Sequence, residues 1–409
     1  MAKLEILDTT IESIARHINE RSNKNYQINP VGVPQNLETP QIFEIVPFES
    51  IDQAECRYYA VDGSKSSQDF YNGLAIAVYA GGYICYQKGK QIRMNDGMDP
   101  VILGQAYFPE NILISREDHL GLIYDELLLL PPIQKLLKFW KDSPSDIFSL
   151  KKEQICKNTS TLLDFCQEIL EIALIYEIAE LPDTKSGDYI LRDGTLRPLQ
   201  VKQSYLVSLG KYLHEKKLLI IAVTKQSPLK MELSYTFKQI DTYLQDDLKK
   251  TYPFAQKDPS RKKLCCWFEI PDPILDAAYG EMFRRKAIHG GRGFGLFFAA
   301  RLDYVEKLQN YDWVIIDLNI FDAIPGIESN HMERDRANIG SIFMELTRLT
   351  QEHYILGYPY PLAEVHNFVS VRRDFKQELI NRLKYSLYKD QRMDNVDIEN
   401  LFLDTHDRF

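Results

Sequence analysis

A mixed β-sheet flanked by helices, an α/β fold, is predicted by three observations on this sequence. Short β-prone apolar runs alternate with helix-periodic stretches along the chain. Two of those runs end in Asp followed by Gly, at Val61-Asp62-Gly63-Ser64 and at Leu191-Arg192-Asp193-Gly194-Thr195. Between them lies an apolar helix over 162–181 that carries Glu168, Glu171, Glu177 and Glu180. A carboxylate projected from a strand tip, where a Gly turn begins, is how a divalent-metal site is built on a sheet.

The elements follow in chain order. Ile11, Ile14, Ala15 and Ile18 recur at helical spacing behind an Asp8-Thr9-Thr10 cap, which predicts an N-terminal amphipathic helix over 7–22. A polar, Pro-containing connection over 23–40 leads to three β-prone runs, Arg57 to Val61, Leu74 to Ala80 and Gly82 to Gln87. The last two are expected to form a hairpin about Gly81-Gly82. The section over about 110–160 is helical and irregular, broken at Pro131-Pro132 and Ser143-Pro144. After the Glu-bearing helix come strands over 188–192 and Lys217 to Val223. A polar insertion over about 226–262 precedes strands at Cys266 to Ile270, Gly295 to Ala300 and Trp313 to Leu318. Helices are expected around 335–350 and 361–390. Strand with Asp, hairpin, helix with Glu, strand with Asp and a late helix is the order in which a ribonuclease H-like fold gathers four ligands at one sheet edge.

Composition narrows the class. With 409 residues and 44% hydrophobic content the chain buries a large core. No apolar run reaches the roughly 20 residues that span a bilayer, and Met1-Ala2-Lys3-Leu4-Glu5 opens no signal-peptide core, so a cytoplasmic protein without membrane association is expected. The six cysteines show no Cys-x-x-Cys pair and read as reduced core residues. A net charge of −9 excludes a protein that coats nucleic acid nonspecifically, so any DNA contact is local or shared with a partner.

Which helix carboxylate serves the site is a question of rotation. At about 100° per residue from Glu168, Leu162, Cys166, Ile169, Leu170 and Ala173 fall between roughly 100° and 200°. Glu177 falls near 180°, inside that apolar face, whereas Glu171 falls near 300° on the side expected to meet water. A carboxylate aimed into a sheet is costly without compensation. Glu177 is therefore the preferred ligand and Glu171 the alternative.

Other motifs were weighed. Asp193-Gly194-Thr195-Leu196 is similar to the haloacid dehalogenase phosphatase motif, but that motif needs an Asp two residues earlier and position 191 is Leu. The Gly-rich run over 290–295 lacks the Gly-Lys-Ser/Thr of a phosphate-binding loop, and no ATPase signature is present.

Together with Gly357-Tyr358-Pro359-Tyr360-Pro361-Leu362, His366 and Val223-Thr224-Lys225, the two Asp-Gly motifs resemble the NurA nuclease family over about 58–368. The resemblance implies a metal-dependent DNA nuclease, with 5′-to-3′ exonuclease and single-strand endonuclease activity, that works with a hexameric HerA-type ATPase in DNA end resection. It also implies a homodimer. In the family's terms Asp62, a helix Glu and Asp193 look like acidic metal ligands. His366 looks like a further ligand or proton handler, Tyr358 like a phosphate-positioning or catalytic hydroxyl, and Lys225 like a substrate-binding Lys after a strand. Arg192 departs from the family, which more often has an apolar residue there. The implied division is an N-terminal helical extension over 1–50, a nuclease domain over 51–375 with insertions at about 100–160 and 226–262, and a C-terminal helix and tail over 376–409. Phosphodiester hydrolysis needs an activated water and charge compensation at phosphorus, which two metal ions roughly 3.5–4 Å apart supply. Oxygen ligands suit Mg²⁺ or Mn²⁺, and a His among them favours Mn²⁺. The competing expectation is a noncatalytic ribonuclease H-like subunit that guides DNA for a translocase.

Overall fold

The computed structural model describes residues 43–45, 56–69, 74–95, 100–107, 113–115, 120–240, 265–270, 296–303, 313–318, 331–351, 357–370 and 373–390, with single positions at 274, 396, 398 and 399; positions 103, 197, 226, 235 and 238 are excepted. The expected N-terminal helix over 7–22 and the Gly-rich run over 290–295 lie outside the described residues. The strands are β1 (Phe43–Glu44), β2 (Arg57–Asp69), β3 (Leu74–Gln87), β4 (Lys90–Gln91), β5 (Arg93–Asn95), β6 (Pro100–Ile102), β7 (Gly104–Tyr107), β8 (Leu113–Ser115), β9 (Tyr189–Asp193), β10 (Leu219–Thr224), β11 (Cys266–Glu269), β12 (Leu296–Arg301) and β13 (Trp313–Leu318). The helices are α1 (Leu120–Leu129), α2 (Pro131–Trp140), α3 (Pro144–Ile147), α4 (Lys152–Ile155), α5 (Thr159–Ala179), α6 (Gln203–Glu215), α7 (Pro228–Glu232), α8 (His331–Gln351), α9 (Tyr360–Val369) and α10 (Arg373–Asp390).

One mixed sheet runs in the order β1-β11-β12-β13-β10-β9-β2-β3-β4, with β7 and β8 also paired to β3. Its centre, β2-β9-β10, is parallel, with α5 leading into β9 and α6 into β10, while β3 and β13 flank that centre antiparallel. This is the ribonuclease H-like arrangement. Central strands covered on both faces read as continuous apolar runs, as β10 does with Leu-Ile-Ile-Ala-Val. Side chains alternate across the sheet. Tyr59, Val61, Ile190, Ile220 and Ala222 pack on the α5 side. Tyr58, Ala60, Leu191, Ile221 and Val223 pack on the other, with α8 and α9.

Three expectations are corrected. First, β3 is one strand of 14 residues that runs straight through Gly81-Gly82, so no hairpin turn forms there. Gly81 provides clearance instead. Gly81 pairs with Gly63 on β2, and a Cβ on Gly81 would lie 2.6 Å from Leu170 Cδ2 of α5. The helix seats against the sheet where two side chains are missing. Gly81→Ala should therefore destabilise the protein by about 1–3 kcal/mol through overpacking, read as a lower urea midpoint.

Second, the section after 226 is not wholly polar: Leu229, Leu233, Phe237 and Ile240 are buried against Phe268 and Trp313 as a third core cluster. Third, the helix expected over 361–390 is two, broken between Val369 and Arg373. All six cysteines are free, with Cys85, Cys166, Cys265 and Cys266 buried. Among the described residues no helix is long and apolar enough to cross a membrane.

Candidate metal centre

Asp62 does not sit at a strand tip as expected. It lies within β2, a strand of 13 residues that continues to Asp69 against β3 alone. What ends is its neighbour: the β2-β9 pairing stops at Val61 and Arg192, and β9 closes at Asp193. One further step of the register sets Asp62 beside Asp193 on strands about 4.8 Å apart. Asp193 is at a strand tip, and Gly194 takes φ +107, a left-handed conformation that favours Gly. Gly194 N–H donates to Val223 O (3.1 Å), and Thr224 Oγ1 donates to Gly194 O (2.6 Å), which fixes the turn against β10. From behind, Leu196 N–H donates to the buried Asp317 on β13 (3.1 Å).

By alternation both aspartates face the α9 side of the sheet. Pro359 and Pro361 bracket the start of α9, where a fixed φ suits the first helical turn. Gly357, at φ +66, turns the chain into the buried Tyr358 just before that start. His366, half-exposed on α9, brings Nδ1 to 2.8 Å from Asp62 Oδ2. One ligand atom each from Asp62, Asp193 and His366 lies within 4.8 Å of the others. Tyr358 directs its hydroxyl at Val223 O (3.4 Å) and lies close enough to Asp193 to interact with it. Burial and then Asp193 push that hydroxyl well above its ordinary pKa, so Tyr358 keeps its proton. Lys225 places Nζ 3.6 Å from the centre of the Tyr358 ring and 3.9 Å from Asp193 Oδ2.

Glu171 does not take the water-facing position that periodicity assigned it, and Glu177, though buried as expected, lies away from the two aspartates. Every residue of α5 from Leu170 to Ala179 is buried, because the helices of 120–155 cover the face expected to meet water. Glu171 points to the sheet. Its Oε2 accepts from Arg192 Nε (2.9 Å) and Nη2 (2.7 Å), and its Oε1 accepts from Gln167 Nε2 (3.0 Å). A Cβ on Gly63 would lie 2.5 Å from that Oε1, so the glycine of the Asp-Gly motif is what admits Glu171 to the vicinity of Asp62. Glu177, six residues along, is held by Lys135 of α2 (Nζ to Oε1, 2.8 Å). Glu180 caps the C-terminus of α5 and pairs with Lys216 (2.6 Å). The structure thus brings together Asp62, Asp193, His366, Tyr358 and Lys225, with Glu171 adjacent and Glu177 apart.

The electrostatics suit a cation. Burial, then Glu171 and Asp193, push the Asp62 carboxyl up to about 7 against the opposing pull of His366. Two carboxylates and an imidazole around one point form a mixed oxygen and nitrogen donor set that fits a divalent cation. Because the fold holds the Asp62 proton more tightly than the unfolded chain does, the metal-free protein should lose stability as pH rises from the ordinary carboxylate range to about 7. Asp62→Asn should flatten that loss, measured as urea midpoints at pH 5 and pH 8. Mn²⁺ affinity should fall by about tenfold per unit below that pH, since the cation must displace the proton.

The NurA domain profile matches residues 56–371. No curated protein matches the chain. Among solved structures, the NurA nuclease of Sulfolobus solfataricus aligns at 13% identity over 95% of this chain and 98% of its own, with a TM-score of 0.41. A second NurA structure aligns at 13% identity over the same shares with a TM-score of 0.32. A NurA solved with manganese aligns at 13% identity over 88% of this chain and 62% of its own, with a TM-score of 0.19. The family profile spans most of the chain. The chain belongs to the NurA domain family.

Proposed function

We propose that the protein is a divalent-metal-dependent deoxyribonuclease. The observation that carries this reading is the convergence of Asp62, Asp193 and His366 on one point, flanked by Lys225, in a chain of the NurA family. A bound Mn²⁺ or Mg²⁺ activates water and offsets charge on the phosphate. Asp62 and Asp193 would hold that cation from adjacent strands, and His366 would complete the set from α9. Lys225, half-exposed beside Asp193, offsets charge on the scissile phosphate. Tyr358 is buried, so its hydroxyl positions Asp193 and its ring seats Lys225, and the phosphate-binding role falls to the lysine.

The cellular reading rests on family membership: a cytoplasmic homodimer that docks on a hexameric HerA-type ATPase and trims DNA ends, with 5′-to-3′ exonuclease and single-strand endonuclease activity. The absence of a nucleotide-binding motif in the sequence and its acidic charge fit a chain whose movement along DNA is supplied by a partner. End-labelled linear single- and double-stranded DNA, incubated with Mn²⁺, Mg²⁺ or EDTA, tests the activity. Metal-dependent shortening is expected. DNA left intact with either metal, with and without the HerA-type partner, would favour the noncatalytic guiding subunit. Light scattering showing only monomer at micromolar concentration would remove the dimer, and failure to co-purify with the ATPase from the same cell would remove the docking.

A further inference from the structure

We propose that Arg192 makes this a one-ion centre by holding Glu171 in an ion pair on the α5 face of the sheet. The inference rests on the metal-dependent reading above and concerns how many ions the site takes.

The two faces of the sheet divide the acids. Asp62 and Asp193 face α9 and converge with His366. Arg192, one residue earlier on β9, faces the opposite side with Val61 and Ile190. There it meets Glu171. Arg192 is buried and pinned at three nitrogens: Nε and Nη2 on Glu171 Oε2, and Nη1 on Thr195 O. Glu171 is equally engaged, with Gln167 on its other oxygen.

For Glu171 to ligate a second ion it would have to leave Arg192, stranding a buried guanidinium that, unlike a lysine, cannot shed its charge. Removing one partner of a buried pair is strongly unfavourable because the other charge is left uncompensated. Among the described residues Asp62, Asp193 and His366 remain, and three ligand atoms around one point serve one ion. A second positive charge is already present. The Arg192 guanidinium interacts with Asp62 as well as with Glu171 and Glu168, so it offsets the same anionic cluster from behind the sheet.

Isothermal titration of the wild-type chain with Mn²⁺ at pH 8, with electron paramagnetic resonance on the same samples, reads the ion count directly. One Mn²⁺ per chain with the hyperfine pattern of an isolated ion is expected. Arg192→Leu releases Glu171, so this variant should bind two ions with an exchange-coupled spectrum. The double variant Arg192→Leu, Glu171→Gln should return to one. Two coupled ions in the wild-type chain would overturn the inference, as would one ion in a folded Arg192→Leu protein. The wild-type count decides even if Arg192→Leu does not fold. No Mn²⁺ bound to the wild-type chain would overturn the metal-centre reading itself and is thereby distinguishable from a count of two.

Discussion

Asp62→Ala or Asp193→Ala should abolish metal-dependent DNA cleavage, with single-turnover rates falling by roughly three orders of magnitude, about 4 kcal/mol of transition-state stabilisation. Each aspartate offers one ligand atom of three to the same point. The fold should persist. Asp62 in particular is held close to Glu171 and Asp193, which favour its protonated form, so its removal relieves repulsion. The variants should keep the wild-type melting temperature without metal and lose the upward shift that Mn²⁺ gives the wild-type protein, since only a ligand that binds the folded state raises it. A variant that retains a tenth of the wild-type rate would exclude that aspartate from the ligand set.

The second large effect is on stability and separates the two glutamates. Glu171→Gln removes the charge that compensates Arg192 in a buried pair, and about 3–5 kcal/mol should be lost. Glu177→Gln breaks a pair whose lysine is 54% exposed and can return to water, so the cost should stay below about 1 kcal/mol. Urea midpoints of the two variants give the comparison. Equal losses, or the larger loss at Glu177, would contradict the placement of Glu171 against the sheet.

Much of the framework was legible in the residues. The two Asp-Gly motifs follow β-prone runs, and their strands lie side by side and parallel in the sheet. Asp193 sits at its strand tip and Gly194 takes the left-handed turn expected of it. Tyr358, His366 and Lys225 entered through family resemblance, for nothing in their local pattern marks them. Glycine was the first difficulty. Gly63, Gly81 and Gly82 read as turns, yet they lie inside long strands, and Gly63 and Gly81 clear a path for α5, a role set by the helix above them rather than by their neighbours in sequence.

The second difficulty was helix rotation. An apolar stripe identifies the buried face only when the opposite face is wet, and α5 is covered on both. Periodicity therefore had no means of telling the sheet side from the side covered by 120–155. Arg192 carries the signal that separates the two sides. Arg192 lies in the buried run Tyr-Ile-Leu-Arg-Asp, at a position that alternation turns away from Asp193. A buried arginine requires a carboxylate on the element covering it, which is α5. Asp317, inside the apolar run Trp-Val-Ile-Ile-Asp-Leu, is a similar clue to the turn it holds at Leu196.

The central claim is that Asp62, Asp193 and His366 hold a divalent ion. Anomalous scattering from a Mn²⁺-soaked crystal tests it most directly. An anomalous peak coordinated by all three side chains, with Glu177 remaining on Lys135, is the predicted result. A crystal that shows no peak at that point, or a peak centred on Glu177 in its place, would contradict it.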